Sequence, residues 1–123
     1  MQYVDMSYYF SNYRGNTIDA ALLDKELKKA SIQVNTICFG RIGNNLDYCS
    51  DYEKNIIKEV VCELADFNYT NKDDLESING SYSIGDVSVS NLDSKTIVNE
   101  QGVFIPTSIL SMLEMTRLRN KLI

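Results

Sequence analysis

The chain has 123 residues, of which 44% are apolar, and it carries a formal net charge of −5 without any histidine. This length corresponds to one small domain, and the acidic balance disfavours a DNA-binding face, where lysine and arginine must neutralise phosphates. The three cysteines are an odd number without paired spacing, so we expect free thiols rather than disulfides or a zinc site. No signal peptide and no apolar run of about 18 residues is found, which predicts a soluble cytoplasmic protein without a membrane span.

The first sixteen residues are rich in aromatic side chains that follow neither helical nor strand periodicity. They are Tyr3, Tyr8, Tyr9, Phe10 and Tyr13. We predict an irregular arm over residues 1–16. Two interpretations of its rings stay open: they complete the core of their own domain, or some of them cover a neighbouring subunit, because tyrosine and phenylalanine are favoured in interface cores.

Two amphipathic helices come next and form a predicted helical hairpin over residues 17–67. In the first, from Asp19 to about Phe39, the apolar residues are spaced by three and four: Leu23, Leu27, Ala30, Val34 and Ile37. Asp19 or Thr17 can cap its start, and Gly40 can close its end in a left-handed conformation. The second helix covers Ser50–Phe67, where Ser50 and Glu53 form a capping box before an apolar stripe that another surface must bury.

The remainder of the chain is more polar. We predict a loop with a strand-like arm over residues 68–104, because Val87 and Val89 alternate with serines and Gly85-Asp86 interrupts the pattern as a turn would. Residues 91–102 are interpreted as a polar linker. Pro106 is placed at the first position of a C-terminal helix within residues 105–123. The tail after this helix alternates basic and aliphatic residues, and it is interpreted either as a frayed end or as a docking segment.

The sequence contains no recognisable catalytic apparatus. Histidine is absent, and there is neither a glycine-rich phosphate loop nor a cysteine in a nucleophile context. Asp73, Asp74 and Glu76 lack the ligand order and glycine of a calcium loop, so we interpret them as a solvated acidic loop. We therefore expect no catalytic, metal-binding or cofactor-binding residues and a protein that is not an enzyme. Because signatures of catalysis are absent from the sequence, a binding role is favoured.

Several short motifs resemble the head–tail connector proteins (head-completion adaptors) of tailed bacteriophages and related prophages. The similar segments are Ala30-Ser31 with Val34-Asn35-Thr36 and Arg41-Ile42, then Val61-Cys62-Glu63-Leu64-Ala65, then Ser83-Ile84-Gly85-Asp86-Val87-Ser88-Val89, and the opening from Tyr9 to Tyr13-Arg14-Gly15. The resemblance covers most of the chain. It departs at the C-terminus, where Arg117 replaces the glycine of the family's usual "T-G-L" ending.

The resemblance implies a mainly α protein: a small antiparallel bundle of about three to four helices, with a short β-strand or hairpin arm and an extended C-terminal tail. It implies a structural virion protein, made in the bacterial host cytoplasm, that forms a ring of about twelve copies below the portal protein. Such a ring, at the virion neck, extends the DNA channel and joins head to tail. Its expected partners are further copies of itself, the portal protein and the next neck or tail-completion protein, while DNA passes without specific binding.

Two sets of residues are predicted to serve this assembly. The expected subunit or portal contacts are Tyr9, Tyr13, Ile84, Val87, Val89, Leu118, Arg119, Leu122 and Ile123. The expected lining of the DNA channel is acidic, because like charge prevents adhesion, and comprises Asp73, Asp74, Glu76 and Asp86. Two alternatives remain. One is a tail-completion or head-closure protein, a class richer in strands. The other is a small helical regulator, against which the acidic charge counts.

Overall fold

The computed structural model describes residues 2–73, 75, 97–116 and 118. Its helices and strands are α1 (Met6–Ser11), α2 (Ala20–Ile37), α3 (Asp51–Thr70), β1 (Ile97–Glu100), β2 (Val103–Pro106) and α4 (Thr107–Glu114). This mainly helical fold with a short antiparallel hairpin confirms the predicted fold class. None of the helices in this part of the chain combines the length and the apolar character needed to cross a membrane.

Helix α2 has the boundaries and the buried stripe that its spacing predicted. The Asp19 carboxylate accepts a hydrogen bond from the Ala21 amide, 3.1 Å away, and so caps the start. The predicted apolar residues are all fully buried: Leu23, Leu27, Ala30, Val34 and Ile37. At the other end Phe39 and Gly40 both have left-handed backbones, and the Gly40 amide donates to the Asn35 carbonyl at 2.8 Å, which terminates the helix as expected.

Helix α3 begins with the predicted capping box and supplies the other half of the core. The Ser50 hydroxyl accepts from the Glu53 amide at 3.2 Å, while the Ser50 amide donates to the Glu53 carboxylate at 3.0 Å. The helix extends beyond the predicted end at Phe67 to Thr70. Its fully buried side chains pack against α2 and against α4, and they are Ile57, Val60, Val61, Cys62, Leu64 and Ala65. The helical hairpin is therefore the centre of the fold.

The N-terminal segment is more ordered than predicted. Residues 6–11 form α1, whose start is capped by the Asp5 carboxylate accepting from the Tyr8 amide at 2.8 Å. The prediction of an irregular arm was wrong here, because this helix buries only Tyr9 and so has no repeated apolar stripe to detect. Ahead of α1, the Tyr3 amide donates to the buried Ser31 hydroxyl of α2 at 3.0 Å. The segment is thus bound to α2 through Tyr3, and to α3 through the hydrogen bonds that Tyr9 and Tyr13 donate to Asp66.

The C-terminal part differs from the prediction in two respects. Residues 97–100, expected to be linker, form β1, which pairs with β2 through a two-residue turn in which Gln101 and Gly102 are both left-handed. Pro106 ends β2 and precedes α4, so it is not the first helical residue. The physical reason is that Val103 and Ile105 are buried in the core, and this alternation requires an extended chain. The strand predicted within residues 81–90 lies outside the described residues.

We predict that Ser50→Ala lowers the free energy of unfolding by about 1 kcal/mol, because it removes the hydroxyl that accepts the Glu53 amide. Urea unfolding followed by circular dichroism measures this loss. The control is Asn55→Ala, an exposed position within α3 where alanine favours the helix, so its stability should be unchanged or slightly higher. Equal stability of wild type and Ser50→Ala would contradict the assigned cap.

Candidate functional site

Tyr9, predicted as an interface residue, lies in the core of its own chain. Its side chain is fully buried. The hydroxyl donates to Asp66 of α3 at 2.6 Å and accepts from the amides of Thr17 and Ile18, both at 3.3 Å. Because α1 directs the ring inward and every polar contact is made within the chain, Tyr9 presents no surface to a neighbour. The interface assignment is corrected for this residue in favour of the core interpretation.

Tyr13 belongs to the same cluster but lies nearer the surface. Its hydroxyl donates to the second carboxylate oxygen of Asp66 at 2.8 Å, and its ring centroid lies 5.5 Å from that of Tyr9. Burial raises the pKa of Tyr13 above its ordinary value, and the hydrogen bond to Asp66 raises it further. One carboxylate of α3 therefore binds two tyrosines of the N-terminal segment. The role of the half-buried Tyr13 in an interface stays a prediction.

Leu118 marks the start of the predicted docking tail, and it contacts its own domain. Its carbonyl accepts a hydrogen bond from the Arg41 guanidinium at 3.2 Å, and its side chain packs half-buried against the core. Arg41 also lies over the ring of Phe39, 5.1 Å from the centroid. Arg41, in the connection between α2 and α3, thus binds the chain at Leu118, where the predicted docking tail begins.

The acidic and strand-like predictions fall largely outside the described part of the chain. Asp73 is described and exposed, three residues after the end of α3 at Thr70. The residues outside the description are Asp74, Glu76, Ile84, Asp86, Val87, Val89, Arg119, Leu122 and Ile123. Of the predicted contact residues that the structure describes, Tyr9 and Tyr13 lie together at Asp66, and Leu118 contacts Arg41.

An open groove of about 490 Å³ lies between the start of α2 and the end of α3. It is lined by Leu22, Glu26, Tyr69, Thr70, Asn71, Lys72 and Asp73. The lining mixes both charges with small polar groups, and it lacks a nucleophile beside a base. Across the described residues there is no cluster of three side chains suited to hold a metal ion. Burial raises the pKa of Cys62 to about 12, which keeps that thiol protonated at neutral pH.

Large exposed side chains are the feature that sequence reasoning missed. Tyr48 is 90% exposed and Tyr52 is 57% exposed, on either side of the Ser50 cap. On α2, Leu22 and Ile32 project outward with exposed fractions of 41% and 45%. For the three that lie on helices, Leu22, Ile32 and Tyr52, the sequence offered one signal of exposure: each lies outside the apolar stripe that faces the core.

Neither a protein-family model, nor a curated protein, nor a solved structure matches this chain.

Gly15→Ala should destabilise the fold by about 1–3 kcal/mol, because a Cβ at this position would overlap the buried ring of Tyr9. Thermal and urea unfolding measure the change. The matched control is Asn16→Ala at the exposed neighbouring position, which should lie within about 0.5 kcal/mol of wild type. A fully stable Gly15→Ala protein would show that the N-terminal segment does not pack as described.

Burial of Tyr13, together with its hydrogen bond to Asp66, raises the pKa of this tyrosine and makes the free energy of unfolding fall at alkaline pH. The neutral hydroxyl is favoured in the folded chain, so the folded pKa exceeds the unfolded value of about 10. The contribution is fully present below that pH and is lost as the pH rises above it. We expect the free energy of unfolding to fall above about pH 10, and to fall less steeply in Tyr13→Phe. Tyr48→Phe, which removes an exposed hydroxyl, is the control and should retain the wild-type slope.

Proposed function

We propose that this protein is a head–tail connector of a tailed bacteriophage or prophage. In this role it forms a ring of about twelve copies below the portal protein, extends the DNA channel and joins head to tail at the virion neck. The observation that carries the proposal is the set of motifs from Ala30-Ser31 to Arg41-Ile42 and from Val61 to Ala65, which resemble those of connector proteins. These motifs fall on the end of α2, the connection after it and the middle of α3.

The arrangement of exposed side chains supports an assembling protein. A closed ring requires two different surfaces on each subunit, so a ring-forming chain should carry contact residues on more than one side. Large side chains are exposed at α1, on α2, before and within α3, and after α4: Met6, Phe10, Leu22, Ile32, Tyr48, Tyr52 and Met115. Burial of such residues between subunits would add to a core that a domain of this size keeps small.

The charge of the chain supports its position around DNA. With a net charge of −5, a ring of many copies would present like charge to the phosphates and would not retain the moving DNA. Exposed Asp73 lies three residues after the end of α3, and together with Asp74, Glu76 and Asp86 it is our proposal for the channel lining. The proposed role is structural, without catalysis and without a cofactor.

The deciding measurement is the mass of the full chain mixed with its cognate portal protein, compared with each protein alone by light scattering. The proposal predicts a complex with about one copy of this chain per portal subunit. Two separate species, with this chain remaining a compact monomer, would contradict the connector role. Such a result would direct attention to the tail-completion alternative.

Deletion of residues 119–123 tests the tail within the same assay. The deletion keeps Leu118, whose carbonyl accepts the bond from Arg41, so the domain should retain its fold and its circular dichroism spectrum. We expect portal binding to weaken at least about tenfold, because the deletion removes two charged and two aliphatic side chains. Arg14→Ala, at an exposed N-terminal position, is the control for loss of one positive charge elsewhere. Unchanged binding after the deletion would exclude the tail as the portal contact.

A further inference from the structure

The outward side of α2 carries three exposed lysines, with exposed Asp24 and half-buried Glu26 beside them on the same helix. Lys25, Lys28 and Lys29 are all exposed, and they are flanked along the helix by exposed Leu22 and Ile32. Residues 22, 25, 29 and 32 are separated by three, four and three positions, so they follow one side of the helix, opposite the buried stripe. We call these five residues the lysine face. It combines three charges with two apolar side chains and has no covering element among the described residues.

The opposite chemistry is found at the beginning of α3. Asp47 and Asp51 are exposed together with Tyr48 and Tyr52, and the capping box at Ser50 fixes the backbone between the two pairs. The chain has no lysine or arginine from Ile42 to Glu53. We call Asp47, Tyr48, Asp51 and Tyr52 the acidic tip. Exposed tyrosines beside carboxylates are suited to a partner surface that offers cationic groups together with the apolar methylene chains of lysine side chains.

We propose that the lysine face of one copy binds the acidic tip of a second copy. The lysines would meet the carboxylates and the tyrosine rings, while Leu22 and Ile32 would be covered by the same rings. The chain already uses a comparable contact internally, where the Lys58 ammonium lies 5.4 Å from the ring centroid of Tyr8. The inference deepens the proposed function and rests on it, because it names the surfaces through which ring subunits would join.

The exposure of both surfaces indicates a contact between copies. Within one chain the tip does not cover the face, since Tyr48 is 90% exposed and Ile32 is 45% exposed. The two surfaces are different, so their pairing is heterologous: each added copy leaves a free face at one end and a free tip at the other. Such a contact closes into a ring when the rotation between neighbours permits. DNA is the weaker candidate for the lysine face, because phosphates would leave Leu22 and Ile32 in water.

The test uses two variants of the full chain, each with one surface reversed. The face variant is Lys25→Glu with Lys29→Glu, and the tip variant is Asp47→Lys with Asp51→Lys. In analytical ultracentrifugation the wild type should exceed its monomer mass of 14.0 kDa, and each variant alone should associate at least about tenfold more weakly. Mixed together, the two variants retain one intact pair of surfaces. The reversed face and the reversed tip are also complementary to each other, so association should return in the mixture, with a heterodimer of twice 14.0 kDa as its smallest complex.

Further variants distinguish a loss of association from a folding defect. Tyr48→Ser changes a side chain that is 90% exposed, so it should weaken association while leaving the circular dichroism spectrum and the unfolding midpoint unchanged. A chain that carries all four charge reversals should regain association, because its surfaces are again complementary. A wild type that stays monomeric, variants that associate as the wild type does, or a mixture without heterodimer would each overturn the inference. Retention of a DNA duplex through the lysines with unchanged self-association would also overturn it.

Portal binding of the same variants separates the two proposals. Face–tip pairing without any portal complex would contradict the connector role and leave the self-association site standing. A second outcome is that the wild type and both variants bind the portal protein equally, while the mixed variants form no heterodimer. This result would support the connector role and overturn the assigned surfaces.

Discussion

The packing of α2 against α3 is the contact on which the remainder of the structure depends. Fully buried aliphatic side chains from both helices form its interior, and the capping groups at Asp19 and Ser50 set where each helix starts. The other described elements bind to this pair. Asp66 of α3 accepts hydrogen bonds from Tyr9 and Tyr13, Ser31 of α2 accepts from the Tyr3 amide, and α4 packs on α3. Loosening the pair would therefore weaken the contacts of the N-terminal segment and of α4.

A core built from one helix pair leaves much of each helix facing outward. In a chain of 123 residues the apolar area that one core can bury is limited, so parts of the outward faces of both helices stay exposed. The lysine face and the acidic tip differ in charge. The lysine face on α2 has lysines beside Leu22 and Ile32, and the acidic tip at the beginning of α3 has aspartates beside tyrosines. Different surfaces on one small chain favour head-to-tail association over a symmetric dimer.

The two central helices could be predicted because local signals agree with their tertiary environment. In α2 the apolar spacing, the Asp19 cap and Gly40 all indicate the same boundaries, and α3 has its capping box. The short elements could not be predicted from the sequence. Helix α1 buries only Tyr9, and β1 lies in a polar stretch, so neither has a periodic pattern long enough to detect. Tyr48 and Tyr52 were likewise missed, since exposure of an aromatic residue is decided by which neighbours approach it.

The amino-acid sequence by itself determined the helical hairpin, its caps and the acidic balance, because helix formation and charge depend on residues a few positions apart. Only the tertiary structure decided that Tyr9 belongs to the core, that Pro106 ends a strand, and that no other described element covers the three lysines of α2. Each of these depends on groups distant in sequence. Asp66 must come within hydrogen-bonding distance of Tyr9, and the core must accept Ile105, before either residue has a defined place.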